Sequence, residues 1–183
     1  MKIPSGSRRK ALAIIDVQKE FAPHQHAPVI SNISKLLSAV DYAIYVEAVF
    51  SADRGSIWDL QTGWALPSDQ KAKTIPEISK LLDMRRVIRI HKQTKSIFNG
   101  CPELASLLRS ESIEELHLVG FDINDCVLAS ALDAFDCGFF TYVIEDCCGA
   151  SVDSGLRSQS IDLLRYLHMT NNSVYELVPF VNI

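Results

Sequence analysis

Long apolar runs are missing from this sequence. ALAII, residues 11–15, follows a few basic residues but stops after five at Asp16. A secretory core needs roughly 7–15 apolar residues, and a bilayer span roughly 18. Neither a signal peptide nor a membrane partner is expected. A basic excess is missing too: 18 Lys and Arg stand against 22 Asp and Glu, for a net charge of −4. Phosphate backbones require the opposite balance. The cluster SRRK, residues 7–10, is too short to restore it, so a nucleic acid partner is not expected. Cysteine is present without a framework. The five are odd in number, and Cys147 and Cys148 are neighbours, poorly placed to bridge. Reduced thiols in a cytoplasmic protein follow as the expectation. A glycine-rich phosphate loop is also missing: after the first apolar run stands DVQKEF. That weakens a nucleotide-binding reading.

What is present is a regular alternation. The chain has 183 residues, of which 48% are hydrophobic, enough for one real core. Ala11–Asp16 reads as a strand buried on both faces and ending in a carboxylate. Further strands are expected at 43–50, 86–90, 116–119, 139–145 and 174–178. Helices are expected at about 31–41, 76–82, 101–110, 126–137 and 156–168. No repeat, low-complexity tract or linker interrupts the series, so residues 1–183 read as a single domain. Strands alternating with helices imply an α/β, doubly wound, Rossmann-like three-layer sandwich on a six-stranded, mainly parallel sheet. Ligands bind such sheets beyond the carboxyl ends of the strands, near the switch in strand order.

Three chemistry-bearing residues fall at such ends. Cys126 sits at a turn-to-helix junction, where unpaired N–H groups and the helix dipole favour a thiolate. A cysteine is ordinarily core filler, and Cys101, Cys137, Cys147 and Cys148 carry that reading. Cys126 differs by position. Asp16, ending a buried strand, is a candidate proton acceptor, its pKa raised by partial desolvation. Lys92, expected two residues past the third strand, could stabilise Asp16 and developing negative charge. Backbone N–H groups in the turn from Asp122 to Cys126 are candidate oxyanion donors. Phe21, Trp58, Trp64 and Phe98 are candidate pocket walls for a small, flat or apolar substrate.

Three segments resemble a known family. AIIDVQKEF carries Asp16, Gln18 and Phe21 in an Asp-x-Gln opening strand. HKQTKSIFNG carries Lys92, Ser96, Phe98 and Gly100, and GFDINDCV carries Gly120, Cys126 and Val127. In this order and spacing they resemble the isochorismatase-like cysteine hydrolases: nicotinamidases, carbamoylsarcosine amidases and isochorismatases. The likeness runs from about Ala11 to Ser151 and takes in Asp133, Ala134, Gly138 and Asp146. It implies a Cys126–Asp16–Lys92 triad, a cis peptide at Phe121–Asp122, and an oxyanion hole from the N–H groups of Asp122 and Cys126. It implies Phe21 and Phe98 in the substrate pocket, and a homodimer or homotetramer. The expected reaction is C–N cleavage of a small amide or carbamoyl compound through a thioester.

The sequence also departs from the family. Nicotinamidases of this family place a metal on an Asp-x-His pair and a later His. Here Asp53 is followed by Arg54 and Gly55, and no His lies between Asp53 and the third strand. His24 and His26 form an HxH without an evident third ligand. No metal and no cofactor are expected. Asp122, where small residues are common, disfavours anionic substrates by repulsion. Two alternatives remain open: an isochorismatase-type hydrolase, and a catalytically silent binding or assembly module.

Overall fold

The computed structural model describes residues 8–21, 27–66, 72–151, 154–171 and 177. In chain order these hold β1 (Lys10–Ile15), α1 (Ala27–Ala39), β2 (Ile44–Phe50), α2 (Ile57–Thr62) and α3 (Pro76–Leu82). There follow β3 (Val87–Lys92), α4 (Ile97–Gly100), α5 (Leu104–Ser110), β4 (Glu115–Gly120) and α6 (Cys126–Asp136). Last come β5 (Phe140–Cys148), α7 (Ser154–Tyr166) and β6 (Thr170–Asn171). The sheet has the order β3-β2-β1-β4-β5-β6, and every paired strand is parallel. Five strands have six to nine residues; β6 has two.

The central strands explain the layers. Side chains alternate across a strand, and β1 sends Ala11, Ala13 and Ile15 to one face and Leu12 and Ile14 to the other. The first set packs with Leu104 and Leu108 of α5, Val127, Ala131 and Ala134 of α6, and Ile161 and Leu164 of α7. The second packs with Ile33, Leu36 and Leu37 of α1 and Ile78 and Leu82 of α3. Two helical layers therefore sandwich the sheet. The order reverses between β1 and β4, which pair from Lys10↔Glu115 to Ile15↔Gly120. The connections leaving their carboxyl ends run to opposite faces of the sheet, the place where such folds form the crevice that positions a site.

Several expected boundaries move. β3 runs on through His91 to Lys92, so Lys92 is the strand's last residue rather than lying two beyond it. β5 continues through Asp146, Cys147 and Cys148, past the strand end expected at 145. α1 begins at Ala27, ahead of Ser31. The short helices α2 and α4 lie between the expected elements. The strand expected at 174–178 falls outside the described residues except for Leu177; the described sixth strand is Thr170–Asn171, pairing with Val143 and Ile144.

Candidate active site

Asp16 follows β1 directly, with φ of +51°, a left-handed conformation that Asp tolerates better than most residues. Its N–H donates to Ala48 O at 2.9 Å, anchoring it to β2. Gln18 secures the same corner. Its Nε2 donates to Phe50 O at 3.0 Å, and its Oε1 accepts from Phe50 N at 2.6 Å. Gln18 is fully buried, so it clamps the ends of β1 and β2 together and does not face a ligand.

Lys92 reaches Asp16 from the end of β3. Its Nζ donates to Asp16 Oδ2 at 2.8 Å and to Thr94 O at 3.1 Å. Both residues are buried, at 1% exposure each. The ammonium also lies 4.9 Å from the centroid of Phe50. The loop after Lys92 folds back closely. A Cβ on Gly100 would sit 2.6 Å from Lys92 Cβ and 3.2 Å from Thr94 Oγ1, so only glycine fits. Ser96 caps α4, accepting from Phe98 N at 3.2 Å. Ser130 then ties this loop to the next element. Its Oγ accepts from Ile97 N at 3.1 Å and donates to Cys126 O at 2.6 Å.

Cys126 is the first residue of α6, and the first N–H groups of a helix have no partner within it. The turn before it is built around the Phe121–Asp122 peptide, which is cis. Gly120 precedes it at φ +121°, where a Cβ would lie 2.0 Å from Ile15 O. Asp122 O accepts from Asp125 N and Val127 N. The Asp122 carboxylate is engaged by the β5–α7 connection: Oδ1 accepts from Ser151 N at 2.7 Å and Oδ2 from Ser151 Oγ at 2.6 Å.

A small cavity of about 20 Å³ is lined by Asp16, Phe21, Phe50, Trp58, Phe121, Asp122, Asp125 and Cys126. That volume holds about one water. Of the expected walls, Phe21 and Trp58 line it and Phe98 does not. The Phe98 ring stacks on Phe139 at 6.2 Å within the core, because α4 turns it toward α6. Trp64 packs behind, 5.8 Å from Phe21 and 6.2 Å from Phe50. Phe50 and Phe121 were missed as walls; each adjoins the end of a core strand, and apolar residues there read as packing.

The electrostatics set the protonation states. Burial pushes the Asp16 carboxyl up to about 6, against the opposing pull of Lys92 and the neighbouring Cys126 thiol. Asp16 Oδ1 has no well-formed hydrogen-bond partner of its own. Burial, followed by the Asp16 charge, pushes the Cys126 thiol well above its ordinary value, with Lys92 opposing. The helix start thus does not yield a resting thiolate; at 7% exposure desolvation outweighs the dipole. The resting arrangement is a neutral thiol beside a carboxylate that ionises near pH 6. Such a pair can pass a proton from sulfur to oxygen when an electrophile arrives.

Residues 10–173 match the Isochorismatase domain family. The chain belongs to that family. Among solved structures, the isochorismatase-family chain resembles a nicotinamidase from Bacillus subtilis at 25% identity and TM-score 0.69, covering 86% of this chain and 94% of that one. It resembles the N-carbamoylsarcosine amidase from Thermoplasma acidophilum at 21% identity and TM-score 0.74, with 91% and 97% covered. A pyrazinamidase of Pyrococcus horikoshii in complex with zinc aligns at 18% identity and TM-score 0.72, with 89% and 97% covered. The last two likenesses bear on fold alone. No curated protein matches the chain. Family membership makes it an isochorismatase-family hydrolase.

The zinc-bound relative raises the question of a metal. Among the described residues, no group of three or more His, Cys, Asp or Glu is arranged to hold one. Asp53 Oδ2 accepts from Gln93 Nε2 at 2.9 Å. Arg54 turns its guanidinium to Asp59 at 3.0 Å. The described donors do not fit a metal site; His24 and His26 lie outside the described residues. Among the described residues no helix is long and apolar enough to cross a membrane.

Proposed function

We propose that this protein is a metal-independent cysteine amidohydrolase that cleaves a C–N bond of a small amide or carbamoyl compound through a thioester. The observation that carries the proposal is the buried Lys92–Asp16 pair at 2.8 Å, whose Asp16 lines the same cavity as Cys126. Asp16 takes the Sγ proton as Cys126 attacks the carbonyl carbon. The oxyanion is held by the N–H groups of Asp122 and Cys126. Asp16 returns the proton to the leaving nitrogen, and the C–N bond breaks. A water, deprotonated by Asp16, attacks the thioester and releases the acid and the thiol. Lys92 keeps Asp16 ionised and in place. We assign Phe21 to the substrate pocket and give Phe98 no part in it. The enzyme works in the cytoplasm as a homodimer or homotetramer, without a nucleic acid or membrane partner.

The narrow cavity favours a second reading, a catalytically silent binding or assembly module. An ammonia-release screen over small amides, ureas and N-carbamoyl compounds separates the two, alongside iodoacetamide labelling mapped by mass spectrometry. The hydrolase requires turnover that Cys126→Ala abolishes, and a Cys126 thiol that reacts faster than the other four. Turnover surviving Cys126→Ala would remove the nucleophile assignment. Slow, unselective labelling with no turnover would favour the module.

A further inference from the structure

If an amide is cleaved beside Cys126, as proposed above, the charge at the cavity mouth decides which amides enter. Asp125 immediately precedes the cysteine and lines the cavity. Its Oδ1 accepts from Lys95 Nζ. The same ammonium lies 4.6 Å from the centroid of Trp58, another residue of the cavity wall. A carboxylate and an aromatic face converging on one point make a receptor for a cation. The cation there now comes from the chain itself. Its side chain is 52% exposed, so little hydration has been given up and little is lost when it swings back into water.

The remaining wall charges favour the same sign. Asp16, Asp122 and Asp125 all line the cavity. Lys92 is occupied with Asp16, and the Asp122 carboxylate accepts from Ser151. An anionic group drawing Lys95 away would leave the Asp125 carboxylate beside it. A cationic group leaves only a solvated lysine. Two buried polar atoms of the wall, Asp16 Oδ1 and Trp58 Nε1, have no hydrogen-bond partner; one can accept from a ligand N–H and the other can donate to a carbonyl. Room can come from α2, which carries Trp58 and has no buried residue.

We propose that Lys95 stands in for a substrate cation. The substrate class is a small amide or carbamoyl compound bearing an ammonium or guanidinium group, which takes the place of Lys95 between Asp125 and Trp58.

The test uses the full chain and two independent readouts. Cys126 is labelled with methanethiosulfonates carrying an ammonium, a methyl or a sulfonate group, with rates normalised to those with glutathione. Hydrolysis is compared for glycinamide, propionamide and malonamate, which differ only in one terminal group. The ammonium reagent is expected to exceed the sulfonate by about tenfold after normalisation, the factor given by about 1.4 kcal/mol of charge selection. Asp125→Asn should collapse that ratio, and Lys95→Met should raise it. Glycinamide should lead the amides and malonamate should trail. A ratio that responds to neither variant, or a preference for sulfonate and malonamate, overturns the cation site. Should Asp125→Asn fail to fold, Lys95→Met decides alone. Charge-selected labelling with no hydrolysis of any amide counts against the hydrolase and leaves the cation site standing. A Cys126 that reacts with none of the reagents overturns both.

Discussion

Removing the Lys92 ammonium tests the arrangement around Cys126 most directly, because the effect must depend on pH. Lys92 Nζ sits 2.8 Å from Asp16 Oδ2 with both side chains buried. Breaking such a pair from one side typically costs about 3–5 kcal/mol. In Lys92→Met the stranded carboxylate can escape much of this by taking a proton. Asp16 already titrates at about 6, raised by burial against the pull of Lys92, so losing Lys92 raises it further. A carboxyl whose folded pKa lies above its unfolded value binds more protons when folded. Stability then falls as pH rises between the two values, by about 1.4 kcal/mol per pH unit. The wild-type contribution ends near pH 6, while that of Lys92→Met continues. Between pH 5 and 7.5 the variant should lose about 2 kcal/mol more than the wild type, from 1.5 further pH units at that slope. Urea unfolding at the two pH values reads this directly, and the double variant Asp16→Asn/Lys92→Met should lack the excess. Asp16→Asn alone should also destabilise, since it leaves Lys92 buried without a countercharge. Equal losses for Lys92→Met and the wild type over that range would refute the assignment of Lys92 as the group that keeps Asp16 ionised.

Because the proposed base must be ionised, kcat/KM should rise with pH through a limb near 6, set by the carboxyl of Asp16; a profile flat from pH 5 to 7 would exclude Asp16 as that base. Gly100→Ala places a Cβ 2.6 Å from Lys92 Cβ, an overpacking expected to cost about 1–3 kcal/mol and to lower kcat by displacing the ammonium, both measurable on the purified variant. At the other end of the sheet, burial would raise the Glu115 carboxyl, but hydrogen bonds from His117, Lys10 and Arg8 hold it down at about 2. A carboxyl depressed in this way stabilises the fold above its unfolded pKa and loses that effect as pH falls toward 2. Glu115→Gln should therefore lower the thermal midpoint at pH 7 and narrow its gap to the wild type below pH 3.

Much of this could be read from the chain because the fold speaks through its strands. Ala11–Ile15 is an unbroken apolar run and Leu116–Val119 is one interrupted only by His117, and residues just past such runs in a parallel sheet converge on one crevice. Asp16 and Cys126 were therefore findable. Lys92 was found in spite of a misplaced boundary: on the edge strand β3 exposed Arg89 and His91 alternate with buried Ile90 and Lys92, and a lysine in that pattern looks like surface. The extension of β5 was hidden because Asp146, Cys147 and Cys148 run into Gly149. α2 has no buried residue and α4 has only four residues, so neither leaves a periodic pattern. The bond between Asp122 and Ser151 joins residues 29 apart in sequence and leaves no local signal. The thiol's protonation misled for another reason. Helix position is visible in sequence, but the degree of burial that outweighs it is not.

The Gln18 amide, spanning β1 and β2, separates two jobs that one pocket must do. Reacting groups are carried by an interlocked frame, while the rim is borne by α2, which has no fully buried residue and meets the interior through Trp58, packed on Phe50. Amino-acid changes on that rim can therefore retune which compounds are accepted at little thermodynamic risk, and directed evolution aimed at residues 54–64 should yield variants of altered preference that remain well folded.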